Sequence, residues 1–108
     1  MKKTGLDQDT LDDIIRRIVE VAEPEKIILF GSAARSDMNR HSDVDLLIIK
    51  DGADALDLMG EIYMNLDGVG AAVDAVVVTP DDVERYRDSH SVIIKPALRE
   101  GRVVYESS

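Results

Sequence analysis

Two short apolar runs, Ile27-Ile28-Leu29-Phe30 and Leu46-Leu47-Ile48-Ile49, bracket a polar stretch. That stretch opens on Gly31-Ser32 and closes on Asp43-Val44-Asp45. No other feature of the chain constrains its fold as much. Short runs of β-branched residues and leucine bounded by turn residues read as core strands. The segment therefore reads as strand, Gly-Ser turn, polar loop, strand. Successive strand side chains point to opposite faces. Asp43 and Asp45 are thus expected to share one face, their α-carbons about 6.5–7 Å apart, with Val44, Leu46 and Ile48 on the other.

Carboxylates at that spacing can hold one hard cation jointly or bridge two. A two-metal site clamps the attacking and leaving oxygens of a displacement, with its ions about 3.5–4 Å apart. Gly31 permits close backbone approach, and Ser32 offers a hydroxyl and an N–H to a phosphate oxygen. If 33–37 begins a short helix, Ser32 stands near its positive end, where anions are favoured. Arg35 can add a charge-assisted contact. A small pair for phosphate followed by an acid pair for divalent metal is what phosphoryl or nucleotidyl transfer requires.

A third acid joins the set. Val73-Asp74-Ala75-Val76-Val77-Val78-Thr79 reads as a buried strand interrupted by one carboxylate. Asp74 shares its face with Val76 and Val78. A lone acid in such a run is costly to bury without a partner. A metal beside Asp43 and Asp45 would supply one, and Asp74 could then accept a proton from an attacking hydroxyl. Taken singly, each feature is commonplace: a turn, a solvated strand end, a strand-end acid. Their order, each tied to a separate apolar strand, carries the functional reading.

The rest of the chain alternates helix and strand. Leu11, Ile14, Ile15, Ile18, Val19 and Ala22 recur at helical spacing over 9–22, with Pro24 as the stop. Strands are expected at 26–30, 44–50, 72–79 and 102–105. A short helical turn is expected at 33–37, then a polar loop at 38–42. Asp51-Gly52 marks a turn. A second helix over 53–66 is expected to bury Leu56, Met59, Ile62, Tyr63 and Leu66, with Met59 and Met64 as core filler. Pro80 opens a helix with Asp81 and Asp82 in its first turn. Residues 92–100 read as helical up to Gly101, with Pro96 breaking or kinking the segment. This pattern predicts one α/β domain over 1–108 with its core at about 9–105.

The wording Phe30-Gly31-Ser32-Ala33-Ala34-Arg35, followed by Ser42-Asp43-Val44-Asp45-Leu46-Leu47, resembles the nucleotidyltransferase superfamily that includes DNA polymerase beta. Within it the chain looks most like the minimal nucleotidyltransferases, over about residues 10–105. Ser36 stands where that branch often has glycine. The resemblance implies an α/β (α+β) nucleotidyltransferase fold, a small mixed β-sheet with helices packed against it. It implies that Gly31 and Ser32 bind the triphosphate of a nucleotide, and that Asp43 and Asp45 ligate two magnesium ions. Asp74 would be the third metal-site acid and the proton acceptor. The implied reaction moves AMP from ATP to a hydroxyl and releases pyrophosphate. The minimal branch is similar to antitoxins encoded beside a HEPN-domain toxin, whose tyrosine hydroxyl is AMPylated and silenced. A small-molecule or RNA acceptor, or a non-catalytic toxin-binding module, stays open as an alternative.

The net charge of −9 argues against general nucleic-acid binding and can complement a basic protein partner. Arg16-Arg17 and Arg35/Arg40 read as helix-surface or phosphate groups. There is no cysteine, no secretory signal and no run long enough to span a bilayer, so a cytoplasmic location is expected. His41 reads as a solvated loop residue and His90 as a helix-end partner. Tyr63, Tyr86 and Tyr105 could stack on a base, but at least two are expected to pack. Lys50 and Lys95 read as surface lysines. So short a chain leaves little to wrap the base or the acceptor. A second protomer or a partner protein is therefore expected to complete the site.

Overall fold

The computed structural model describes residues 8–30, 44–52, 54–86 and 94–107. The elements run α1 (Gln8–Ala22), β1 (Lys26–Phe30), β2 (Val44–Ile49), α2 (Ala55–Asn65), β3 (Val73–Val78), α3 (Pro80–Tyr86), α4 (Ile94–Glu100) and β4 (Arg102–Glu106). The four strands form one sheet in the order β3-β2-β1-β4. β1 pairs antiparallel with β2 and with β4, whereas β2 and β3 are parallel. Two parallel neighbours cannot be joined by a tight turn, and α2 is the crossover that joins them.

Strand alternation sorts the apolar residues into two layers. Ile27, Leu29, Val44, Leu46, Ile48, Ala75 and Val77 face α1 and α2, where Leu11, Ile14, Ile18, Leu58, Ile62 and Leu66 close the main core. Ile28, Leu47, Ile49 and Val78 face the other way, beneath Ala97 and Leu98 of α4 and Val83 of α3. β2 is buried along almost its whole length because both its faces are covered.

The ends of the helices have local causes. α1 stops where Glu23 enters the left-handed region (φ 47°), its N–H donating to the Val19 carbonyl at 3.0 Å, and Pro24 follows. Asp54 caps α2 by accepting from the Asp57 N–H at 3.1 Å. Arg17 donates to the carbonyls of Asn65, the last residue of α2, and of Asp67 just past it, and Asn65 Nδ2 returns a bond to the Arg17 carbonyl. Cations at a helix C-terminus satisfy its orphan carbonyls. Thr79 and Asp82 bond one another's N–H groups at 3.0 and 3.1 Å, a capping box that opens α3.

Expectations at five residues need correction. Leu56 is 78% exposed and Met64 82% exposed, and Tyr63 is also solvent-facing, whereas Leu58 is buried. The apolar residues of α2 run around most of the helix, so the sequence does not say which arc turns inward. Asp74 is exposed, not buried, because it stands near the start of an edge strand. Pro96 does not break α4. It is the third residue, in the first turn, where a backbone N–H has no intrahelical partner. The expected helical turn at 33–37 and loop at 38–42 lie outside the described residues, as do His41 and His90.

Candidate active site

Of the six residues singled out from sequence, the structure describes Asp45 and Asp74. Gly31, Ser32, Arg35 and Asp43 lie outside the described residues. The expected division of β2 holds. Val44, Leu46 and Ile48 enter the main core, while Asp45, Leu47 and Ile49 alternate onto the other face. On β3, Asp74 shares its face with Val76 and Val78, as expected.

Parallel pairing sets Asp45 directly opposite Asp74, and antiparallel pairing sets Phe30 directly opposite Asp45. Phe30, Asp45 and Asp74 thus form one row across three strands, at the end of the sheet where β1 finishes and β2 and β3 begin. Adjacent strands lie about 4.8 Å apart, so the two carboxylates rise from neighbouring points on one face. Behind them the face turns apolar with Ile28, Leu47 and Val76, and α4 covers it. The row ends on Phe30, and Gly31-Ser32 follow it immediately in the chain.

Asp45 is half-buried and Asp74 exposed, so the pair faces outward at the rim of the core. Two hard oxygen donors at one register on one face fit a divalent cation such as magnesium. Among the described residues no cluster of three or more metal-ligating side chains forms, and Asp43 lies beyond them. The cleft of about 450 Å³ lined by Lys26, Ile49, Pro80 and Val83 is at the opposite end of the sheet. It is remote from Asp45 and Asp74, and the glutamates that line it, Glu25, Glu84 and Glu106, form no metal-holding cluster among the described residues.

Tyr63 is a site residue that pattern reading placed among the packing or base-stacking tyrosines. Its hydroxyl accepts from the Ala75 N–H at 2.8 Å and lies 3.2 Å from the Ala75 carbonyl and 3.4 Å from Asp74 Oδ1. It blunts the outer edge of β3 and pins the residue next to Asp74. The crossover brings residues 63 and 74 together, and no local sequence signal announces it. Tyr105 packs against the main core. Lys50 donates to the Glu23 carbonyl at 3.0 Å. Arg16 pairs with Asp13 and Glu20 on the surface of α1.

No curated protein matches the sequence. Solved structures do match in fold. One is a toxin–antitoxin with AMP-PNP, 17% identical, with 95% of this chain and 76% of that chain covered and a TM-score of 0.65. A second is a mutant MntA-HpeT toxin–antitoxin, 15% identical, with 95% and 76% covered and a TM-score of 0.63. A third is a candidate nucleotidyltransferase from Sulfolobus solfataricus, 20% identical, with 96% and 93% covered and a TM-score of 0.54. At these identities the likeness is one of fold. The family model described as Polymerase beta, Nucleotidyltransferase matches residues 12–108, from the first turns of α1 through β4, and the chain belongs to that family.

Proposed function

We propose that this chain is a magnesium-dependent nucleotidyltransferase that moves AMP from ATP to a hydroxyl, a tyrosine of a HEPN-domain toxin, and so acts as an antitoxin in the cytoplasm. The observation that carries the reading is the row Phe30–Asp45–Asp74, which sets two acids side by side where the Gly31-Ser32 pair follows in the chain. The toxin partner is supported by the fold, which the chain shares with toxin–antitoxin structures.

In this proposal Asp43, Asp45 and Asp74 hold the magnesium, as two ions. Gly31, Ser32 and Arg35 bind the triphosphate. Bound magnesium neutralises phosphate charge and orients the reacting oxygens. The acceptor oxygen bonds to the α-phosphorus, the bond from that phosphorus to the β-phosphate oxygen breaks, and pyrophosphate leaves. Asp74, exposed at the rim, takes the hydroxyl proton, while Tyr63 steadies the strand that carries it. A second protomer or the toxin completes a site this small chain cannot wrap.

Transfer of α-labelled AMP from ATP tests this, with the protein encoded beside the chain offered as acceptor. Asp45→Asn and Asp74→Asn should each lower labelling by about 100-fold or more, the range expected for losing an acid–base or charge-stabilising group. Labelling that survives both substitutions would refute the assignment. A stable complex without any labelling would favour a binding module.

A further inference from the structure

The protein's charge is not spread over it. Residues 51–84 hold nine acidic residues and no lysine or arginine, so this segment carries a net charge of −9, the whole net charge of the protein. Elsewhere 13 acids face 13 bases. The segment comprises α2, β3 and most of α3. The exposed apolar residues gather there too. Among the described residues four large apolar side chains stand exposed, and three of them, Leu56, Tyr63 and Met64, are on α2. With Gly60 they fall at i, i+4, i+7 and i+8, one stripe along the helix.

Gly60 sharpens the reading. Its φ is not positive, and a methyl added there would meet nothing within 4 Å. Among the described residues, neither backbone conformation nor packing calls for glycine there, although mid-helix glycine is unfavourable. A glycine in the middle of an exposed apolar stripe leaves a shallow seat for another surface. Asp57 and Glu61 run along one side of the stripe, both exposed, and among the described residues no ion pair involves α2.

We propose that the outer face of α2 is the docking surface for a basic protein, whose apolar side chains cover Leu56, Gly60 and Met64 and whose lysines or arginines meet Asp57 and Glu61. The charge excludes the other occupants. A second copy would set Asp57 and Glu61 against the same two acids across a two-fold axis, and like charges facing each other are repulsive. Nucleic acid and anionic lipid are repelled on the same ground. Tyr63 stands at the seam, with its ring in the stripe and its hydroxyl 3.4 Å from Asp74 Oδ1, so a protein seated on α2 lies beside the acids. This inference rests on the proposed function only in taking the docked protein to be the acceptor.

The test is calorimetric titration of the full chain with the protein encoded beside it. Three variants carry the patch changes: Leu56→Ser with Met64→Ser, Asp57→Lys with Glu61→Lys, and Gly60→Leu. All five positions are exposed, and circular dichroism confirms each fold. Affinity should fall about tenfold or more for each variant, as for anchor residues of an interface. Wild-type affinity should weaken with salt, and Asp45→Asn should bind like wild type. Patch variants that bind like wild type would overturn the proposal, as would no binding by the wild type. Patch-dependent self-association of the chain, or patch-dependent binding to duplex DNA or anionic vesicles, would also overturn it. Patch-dependent binding with no AMP transfer would instead overturn the catalytic reading and leave the docking surface standing.

Discussion

Gly60 and Gly101 make opposite demands on an alanine, and the pair tests whether packing is understood at the level of single methyl groups. At Gly60 the new methyl projects from the exposed side of α2 into open space. The change then reduces to helix propensity, which favours alanine over glycine by about 0.8–1 kcal/mol. For a domain of this size, 1 kcal/mol moves the thermal midpoint by roughly 4–8 °C. Gly60→Ala should therefore melt several degrees higher. Gly101 also lacks a positive φ, yet a methyl there collides with the Ala97 carbonyl oxygen. It also falls 2.5 Å from Ile28 Cγ2 and 3.0 Å from the Leu29 carbonyl oxygen. Two of those three atoms are backbone and cannot swing aside, so α4 must shift from β1. Overpacking costs about 1–3 kcal/mol, enough to outweigh any propensity gain. Urea denaturation of both variants, followed by circular dichroism, gives the two signs directly. A destabilised Gly60→Ala would mean that α2 packs against something on that face in the isolated chain. A Gly101→Ala as stable as wild type would refute the close approach of α4 to β1.

Tyr63→Phe removes the hydroxyl that serves the Ala75 N–H and carbonyl. It should cost about 1 kcal/mol in urea denaturation and lower AMP transfer more than binding of the toxin. An unchanged transfer rate would show that Tyr63 does not position Asp74. Glu23→Gly should stabilise by about 0.5–1 kcal/mol, because relief of a left-handed residue (about 1–2 kcal/mol) exceeds the entropy cost of glycine (about 0.5–1 kcal/mol); a lower thermal midpoint would contradict this. The hydrogen bond from Arg16 holds Asp13 below its ordinary value of 3.8, against the loss of solvation that raises it, and Arg17 adds to the lowering. A depressed folded-state pKa means that the unfolded chain binds the proton first. The pair's contribution is therefore complete above about pH 4 and lost as pH falls through the lowered value. Asp13→Asn should lower stability slightly and evenly above about pH 4, a small effect because the pair is exposed, and the two curves should converge as pH falls through the lowered value. Parallel curves for the two proteins would refute it.

The sheet was legible because each strand has one dominant instruction. Val44, Leu46 and Ile48 alternate with Asp45, and only one phase puts all three in the main core. α1 was legible for the same reason, its apolar residues forming a single stripe. α2 was not. Its apolar residues cover Leu58, Ile62 and Leu66 on one arc and Leu56, Tyr63 and Met64 on the next, so periodicity alone cannot choose between them. Pro96 misled because proline forbids a helix interior but not a first turn, and the start of α4 is not written in the local sequence. Asp74 was placed on the correct strand and face with the wrong burial, because nothing in Val73–Thr79 says that β3 is an edge strand.

The acids of the site belong to the same electrostatic problem as α2. Asp74 lies within the segment that carries the full −9, and the 13 bases of the chain lie outside it. A nucleoside triphosphate is itself an anion, so long-range steering works against its approach from that side. In the proposed mechanism its binding falls to contacts at close range: bound magnesium on the carboxylates and Arg35 beyond β1. A basic protein seated on α2 would lower the same repulsion. Any such reduction acts in both directions, since a docked cation-rich surface that favours the triphosphate must be favoured by it in equal measure. With that partner docked, the segregation of charge and the Tyr63–Asp74 contact would act together. On the proposed docking, occupancy of the outer face of α2 would be tied to occupancy of the row formed by Phe30, Asp45 and Asp74.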